Sequence, residues 1–235
     1  MPRRARIAVP GIPWHIIQRG NNRSACFYAE EDYVYYLNAL SEQARKYHCA
    51  IHAYVLMTNH VHLLITPEHK NSAALLMKHL GQRYAQYINR TYRRSGTLWE
   101  GRFKSCLAQD EAYVLTCYRY IELNPVRANI VRHPRDYRWS SYPGNADGIP
   151  NRVLTPQAEY LRLGSMEMNR QAAYRALFAA HLDPEDVKAI RNATNGNYVL
   201  GDSRFQAEIA EMLKRRVVPG LGGRPPKSGL HDKAE

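Results

Sequence analysis

Two strand-like segments joined by a very short turn constrain the fold of this chain most strongly. Residues 50–57 and 60–65 are apolar runs with only two residues between them. This spacing predicts an antiparallel hairpin. The second run contains His60, Val61 and His62, and alternate residues of a strand point to the same face. The two imidazoles are therefore expected to project together, while Val61 turns toward the core.

The two histidines are a candidate metal site. Neutral imidazoles side by side can hold a divalent ion, although a structural pair and a zinc site are alternative interpretations. Asn124 offers an amide oxygen, which is a donor suited to Mg²⁺ or Mn²⁺. Tyr120 precedes Asn124 by four residues, so both side chains would share one face of a helix. The pattern predicts a metal beside a phenol, unless Asn124 is an ordinary helix-terminal residue.

A divalent ion beside a tyrosine suits the cleavage of a phosphodiester. A phenol, with a pKa of about 10, is a weak nucleophile until its proton is removed or the developing charge is neutralised. An ion bound to the phosphate supplies that neutralisation and orients the group for in-line attack. The spacing favours Tyr120 as the nucleophile. Tyr118 lies about 200° around the helix and Tyr113 lies a turn further from Asn124, and both remain alternatives.

The order of the predicted elements indicates an α+β fold. The elements are a strand at 14–19, a helix from 30 to 47, strands at 50–57 and 60–65, a helix at 72–92, a strand at 102–108 and a helix from 110 to 124. Pro125 is expected to end the last helix, because a proline pushes the preceding residue out of the α region. This order predicts a ferredoxin-like βαββαβ antiparallel sheet with an appended catalytic helix.

Composition changes after residue 142, which suggests a boundary. Residues 143–150 are rich in Gly and Pro and are expected to be a linker between a catalytic domain at 1–142 and a helical extension at 151–217. The extension is expected to be all-α, with helices at 156–163, 170–180, 184–193 and 203–215. Residues 218–235 form a basic Gly/Pro-rich tail with too few apolar residues for a core, so we expect it to be disordered.

The formal net charge of +12 points to a polyanionic partner, most often nucleic acid, although a basic protein without such a partner is the alternative. The predicted DNA-binding residues are Arg19, Asn22 and Arg23 after the first strand, Arg93, Arg94, Arg102 and Lys104 before the third helix, and Arg215, Arg216 and Arg224 near the C-terminus. The first three are expected to contact phosphates or base edges, and the next four to position phosphates. Arg224 is suited to a minor groove. Solvated loops, faces and a solubilising tail are the alternatives.

The cysteines and the N-terminus indicate where the protein acts. The four cysteines are scattered without a CxxC pair, which argues against a cysteine metal site and requires no disulfides. Neither a secretory signal nor a membrane span is expected. We therefore expect a cytoplasmic protein. As separate expectations, it is nucleoid-associated, is a monomer or homodimer and uses no nucleotide cofactor.

Several motifs in order resemble the single-tyrosine HUH transposase superfamily, and within it the REP-associated tyrosine transposases. The motifs that carry this resemblance are Arg19-Gly20-Asn21-Asn22-Arg23, Met57-Thr58-Asn59-His60-Val61-His62-Leu63-Leu64, Trp99-Glu100-Gly101-Arg102-Phe103, Tyr120-Ile121-Glu122-Leu123-Asn124-Pro125-Val126-Arg127-Ala128 and Trp139-Ser140-Ser141-Tyr142. They cover most of residues 1–142. Some relatives carry a similar helical extension, so the resemblance implies that the extension at 151–217 binds hairpin DNA. Members of this family cut single-stranded DNA beside short palindromic hairpins.

The resemblance implies roles for individual residues. His60 and His62 would be metal ligands, and Tyr120 would be the nucleophile that forms a 5′-phosphotyrosine and releases a 3′-hydroxyl. The third ligand is often Gln in mobile relatives, whereas Asn124 stands at that position here, as in the REP-associated branch. Two other functions compete with this enzyme: a catalytically inactive regulator that binds hairpin DNA or RNA, and a phosphohydrolase that uses metal-activated water.

Overall fold

The structure, a computed structural model, describes residues 5–220, and its first half follows the predicted order of elements. The strands are β1 (Trp14–Arg19), β2 (Cys49–Met57), β3 (His60–Pro67), β4 (Lys104–Ala108) and β5 (Val199–Leu200). The helices are α1 (Glu30–Lys46), α2 (Ser72–Thr91), α3 (Asp110–Glu122), α4 (Asn124–Arg127), α5 (Tyr142–Asp147), α6 (Ala158–Arg162), α7 (Glu167–Ala176), α8 (Pro184–Gly196) and α9 (Ser203–Leu213). Short 3₁₀ turns lie at Asn21–Arg23 and Pro134–Asp136.

Within the described residues the strands form one sheet in the order β2-β3-β1-β4-β5. The first four strands are antiparallel neighbours, which confirms the ferredoxin-like prediction. The β2–β3 hairpin turns between Met57 and His60, which are paired. In the register of β1 with β3, Arg19 lies opposite His60 and Ile17 lies opposite His62. This pairing brings side chains of both strands to one face of the sheet.

Both faces of the sheet are covered, because apolar side chains project to each side. On one face Ile16, Val61 and Leu63 pack in a buried cluster with residues of α1 and α2. Val61 is fully buried there, as predicted. On the other face Leu64 packs with residues of β4, α3 and α8. His60 and His62 lie on this second face, at the start of β3.

The prediction that Pro125 ends the catalytic helix is wrong. The helix α3 ends at Glu122, but one further turn of helix, α4, follows after Leu123. Pro125 lies in the first turn of α4, where its missing N–H would have no intrahelical partner in any case. Asn124 therefore begins a new helical turn rather than terminating the old one.

The C-terminal half differs from its prediction in two respects. Residues 143–150 are not a simple linker, because α5 occupies most of the segment and buries Asn145 and Ala146. The extension is largely helical, but it is not all-α, since β5 pairs in parallel with β4. Two residues are too few to show the alternation of apolar and polar side chains that predicts a strand. β5 is recognised only by its backbone pairing with β4. Both halves contribute to both buried clusters, and the division into domains stays a prediction.

Residues 1–4 and 221–235 lie outside the described part of the chain. The predicted tail at 218–235, including Arg224, falls almost wholly there. None of the helices within residues 5–220 has the length and apolar character that crossing a bilayer requires.

Candidate active site

A cavity of about 290 Å³ lies on the second face of the sheet and brings the predicted chemical residues together. His60 and His62 reach it from β3, Tyr120 from the end of α3 and Asn124 from the start of α4. Arg19 reaches it from the end of β1. Residues separated by about sixty positions in the sequence thus share one small space because α3 packs across β2 and β3.

His60 is oriented by its neighbour in the hairpin turn. The Asn59 amide nitrogen donates to the backbone carbonyl of Arg23 at 3.0 Å, so its oxygen faces the His60 ring. His60 Nδ1 lies 2.6 Å from that oxygen and donates to it. The lone pair of His60 is then on Nε2. Burial, assisted by the nearby Arg19 guanidinium, lowers the pKa of His60 to about 4, which keeps the ring neutral at physiological pH.

His62 is held by a third histidine that the sequence did not single out. His62 Nδ1 lies 2.8 Å from Nε2 of His15 on β1. Both rings are almost completely buried. Burial, with the neighbouring His15 and His60, lowers the pKa of His62 well below its usual range. His62 is therefore also neutral, which is the form that can bind a metal.

The phenol and the carboxamide share the helical junction. The Asn124 amide nitrogen donates to the Tyr120 carbonyl at 2.9 Å, and this leaves the amide oxygen as the other polar atom of the side chain. The Tyr120 ring makes edge contacts with His15 and His62, at centroid separations of 5.5 and 5.7 Å. The Arg127 guanidinium lies 4.4 Å from the centroid of the same ring. A cation over the face of an aromatic ring is attracted to it, so this contact favours the observed ring orientation.

The competing tyrosines lie elsewhere. Tyr118 is fully buried against Tyr160 and Tyr174 on the opposite side of α3. Tyr113 is half-buried against the same cluster, and only Tyr120 of the three lines the cavity. Of these three tyrosines, Tyr120 is therefore the one that lies beside His60, His62 and Asn124.

The donor set of the cavity fits a divalent cation. It combines two neutral imidazoles, which suit transition metals, with an amide oxygen, which suits harder cations such as Mg²⁺ and Mn²⁺. His60 also uses Nδ1 for its hydrogen bond to the Asn59 side chain. Metal-binding histidines usually make such a bond with the ring nitrogen that does not bind the metal. A second, exposed group of possible ligands, His48, Glu68 and His69, lies at the far end of β3. It is too distant from Tyr120 to take part in the same chemistry.

A basic groove of about 490 Å³ adjoins the cavity and shares Ile17, Arg19 and Asn195 with it. The predicted residues Arg102 and Lys104 line this groove. Lys104 donates to the Asn195 side chain at 3.0 Å. Arg6, which the sequence analysis did not select, also lines it. Its guanidinium stacks 3.5 Å from the centroid of the Phe103 ring.

The other predicted DNA-binding residues are more scattered. Asn22 and Arg23 are exposed in the turn that contacts Asn59, and so lie beside His60. Arg93 and Arg94 follow α2, where Arg94 donates to the Tyr28 hydroxyl, and neither lines the cavity or the groove. Arg215 donates to the Ala5 carbonyl and so ties the N-terminal segment to the end of α9. Arg216 is exposed nearby, and Arg224 lies outside the described residues.

Five polar residues of the cavity were missed by sequence reasoning. They are His15, Arg127, Arg191, Thr194 and Asn195. Strand alternation could have found the first, since His15 lies an even number of residues before Arg19. Helical spacing could have suggested Arg127, seven residues after Tyr120. No local pattern connects the three α8 residues with the histidines.

Comparisons with known proteins bear on the family and on the fold. A family model described as IS200-like transposase matches residues 8–124. The solved structure of a REP-associated tyrosine transposase bound to a REP hairpin is similar, with a TM-score of 0.55 and 19% identity over 67% of this chain and 93% of that one. A transposase candidate from Deinococcus radiodurans gives a TM-score of 0.36 and 18% identity over 58% of this chain and 98% of that one. No curated protein sequence matches significantly.

Proposed function

Because the chain belongs to the IS200-like transposase family, we propose that it cuts and rejoins single-stranded DNA beside hairpins, with Tyr120 as the nucleophile. The observation that carries this proposal is the convergence of Tyr120, His60, His62 and Asn124 on one cavity that adjoins a basic groove. The similar REP-associated transposase is bound to a REP hairpin, which supports hairpin DNA as the partner here. Its site of action would then be cytoplasmic DNA.

In this proposal His60, His62 and Asn124 would hold Mg²⁺ or Mn²⁺, with the two Nε2 atoms and the amide oxygen as the available donors. The ion would polarise the scissile phosphate and offset its negative charge. The protein's own residues do the rest. Arg127 and Arg191 line the same cavity and place further positive charge near the phosphate. Arg127 also holds the Tyr120 ring in place from one side.

The reaction is a transesterification. The Tyr120 hydroxyl oxygen attacks the phosphorus and loses its proton, and the bond between phosphorus and the 3′ oxygen breaks. The departing oxygen takes up a proton and becomes a free 3′-hydroxyl, while the 5′ side stays attached to Tyr120 as a phosphotyrosine. One phosphate ester replaces another, so the energy of the ester bond is retained. A 3′-hydroxyl can later use it to rejoin the strand. The reverse attack on the phosphotyrosine completes strand transfer.

A covalent-adduct assay tests this function. A hairpin oligonucleotide with its native flanking sequence, labelled on the 3′ side of the candidate linkage so that the label stays with the 5′-phosphate, is incubated with the protein and Mg²⁺ or Mn²⁺. We expect a labelled protein–DNA adduct that survives denaturation, and we expect EDTA to abolish both adduct and cleavage. A binder that has lost the reaction would shift the hairpin without cutting it. A hydrolase would cut without an adduct, and either result would contradict the proposal.

The groove predicts a measurable effect on DNA affinity. Replacing Arg102 with alanine should weaken the binding of single-stranded DNA. The plot of log association constant against log salt concentration should also become less steep, by about 0.7 for each phosphate that the protein no longer neutralises. Arg83→Ala is the matched control. It removes the same charge from α2, on the other face of the sheet, where Arg83 pairs with Glu42. Titrations at several salt concentrations would contradict the groove assignment if both variants changed the slope equally.

A further inference from the structure

Helix α8 lies beyond the residues that the family model matches, yet it forms one wall of the active-site cavity. It packs against β4 and β1, and Thr194 near its end is almost completely buried. The Thr194 hydroxyl lies 2.9 Å from Nδ1 of His15. His15 in turn contacts His62. A continuous path of hydrogen bonds therefore connects the C-terminal region with one of the proposed metal ligands.

The direction of this path is set at Thr194. Its hydroxyl lies 2.7 Å from the backbone carbonyl of Ile190, an atom that can only accept a hydrogen bond. The single hydroxyl proton must be used there, because two lone pairs at that distance would repel. The hydroxyl oxygen is then an acceptor for its other neighbours, the Cys106 thiol at 3.2 Å and His15 Nδ1. It follows that His15 carries its proton on Nδ1.

The same reasoning passes through His15 to His62. With the proton on Nδ1, His15 presents a lone pair at Nε2, and His62 Nδ1 must donate to it across 2.8 Å. The two ring planes are parallel within 5° and their centroids are 5.0 Å apart. This is the geometry of an in-plane N–H···N bond between coplanar rings. His62 is therefore left with its lone pair on Nε2.

We propose that Thr194 is a positioning residue, which acts through His15 to hold His62 in the tautomer that offers Nε2 to a metal. The reverse polarity would place a proton on His62 Nε2 and leave no lone pair for a cation on the cavity side. The ligand role of His62 rests on the proposed function, whereas the tautomer does not. The C-terminal region thereby becomes a component of the active site.

The first test measures the tautomer in the metal-free protein. Long-range proton–nitrogen NMR spectra of the imidazoles distinguish Nδ1–H from Nε2–H rings. We expect His15 and His62 to be Nδ1–H in the wild type and in Thr194→Ser, which retains the hydroxyl. Thr194→Val keeps the shape but removes the acceptor, so a population of Nε2–H His62 is expected. An Nε2–H ring at His62 in the wild-type protein would overturn the proposal without any variant.

The second test measures metal binding rather than activity. Mn²⁺ titrations are made in a His69→Ala background, which removes the exposed group at the far end of β3. We expect Thr194→Val to weaken Mn²⁺ binding by about tenfold or more, as loss of a partner behind a metal ligand usually does, and Thr194→Ser to restore it. Equal affinity and an unchanged tautomer in the valine variant would overturn the proposal. If the tautomer is as expected but no adduct forms, the proposed function fails and the positioning path stands.

Discussion

Replacing Tyr120 with phenylalanine is expected to abolish the covalent protein–DNA adduct and to lower the rate of cleavage by on the order of 10³-fold or more. The variant removes one oxygen atom, the proposed nucleophile. The ring remains, and with it the edge contacts to His15 and His62 and the contact with Arg127. Hairpin binding and the free energy of unfolding should therefore change little. Adduct formation and single-turnover cleavage, measured with a binding control, separate these effects.

The other tyrosines of α3 supply the control for this prediction. Tyr113→Phe removes a hydroxyl from the same helix, at a side chain that packs against the buried cluster rather than the cavity. It should form the adduct at the wild-type rate. If Tyr120→Phe still forms the adduct, or if Tyr113→Phe does not, Tyr120 is not the nucleophile that we propose.

The sheet could be predicted because the sequence patterns that indicate its strands lie within short segments of the chain. Alternation in β1 and β3, together with the short turn before His60, defines strands and a hairpin without reference to the rest of the chain. Val199 and Leu200 show the limit of that approach. They form a strand only because β4 offers them an edge, which is a property of the folded sheet. In the same way, Gly and Pro in the sequence of α5 are typical of a linker. In the folded protein the segment is helical, and Asn145 donates a hydrogen bond to the buried Glu122.

The residues of the candidate site likewise include some that local sequence patterns reveal and some that only the folded structure brings together. Tyr120 and Asn124 are one helical turn apart, and His60 and His62 are two residues apart, so each pair is visible in the sequence. That the two pairs meet depends on how α3 packs on the sheet. Thr194 contributes from 179 residues beyond His15, through hydrogen bonds that no periodicity encodes. The proximity of side chains within each short motif was therefore predictable, whereas the groups that orient those side chains were not.

A buried carboxylate in the helix of the proposed nucleophile makes stability depend on pH. Glu122 is fully buried at the end of α3, two residues after Tyr120. It accepts hydrogen bonds from Ser141 at 2.5 Å, Asn145 at 2.9 Å and Tyr174 at 2.6 Å. Burial raises the pKa of Glu122 from 4.5 to about 7, and the hydrogen bonds only partly oppose that effect.

The sign of the effect follows from the direction of the shift. A carboxyl with a raised pKa binds its proton more tightly in the folded state than in the unfolded chain. Its stabilising contribution is fully present below about pH 4.5 and is lost as the pH rises to about 7. The loss amounts to roughly 3 kcal/mol in the free energy of unfolding, because each pKa unit corresponds to about 1.4 kcal/mol. This direction is opposite to that of a carboxylate stabilised by an ion pair.

Glu122→Gln should remove this dependence, because an amide is neutral at every pH. Its oxygen can accept from Ser141 and Asn145, and its nitrogen can donate to the Tyr174 hydroxyl, as the protonated acid would. Urea unfolding at pH 5 to 8 should show the variant gaining about 2 to 3 kcal/mol relative to the wild type as the pH rises. Glu211→Gln, at an exposed carboxylate on α9, should follow the wild-type curve. A constant difference between Glu122→Gln and the wild type would mean that Glu122 keeps one protonation state throughout this range, and the buried network would then owe its stability to hydrogen bonding alone.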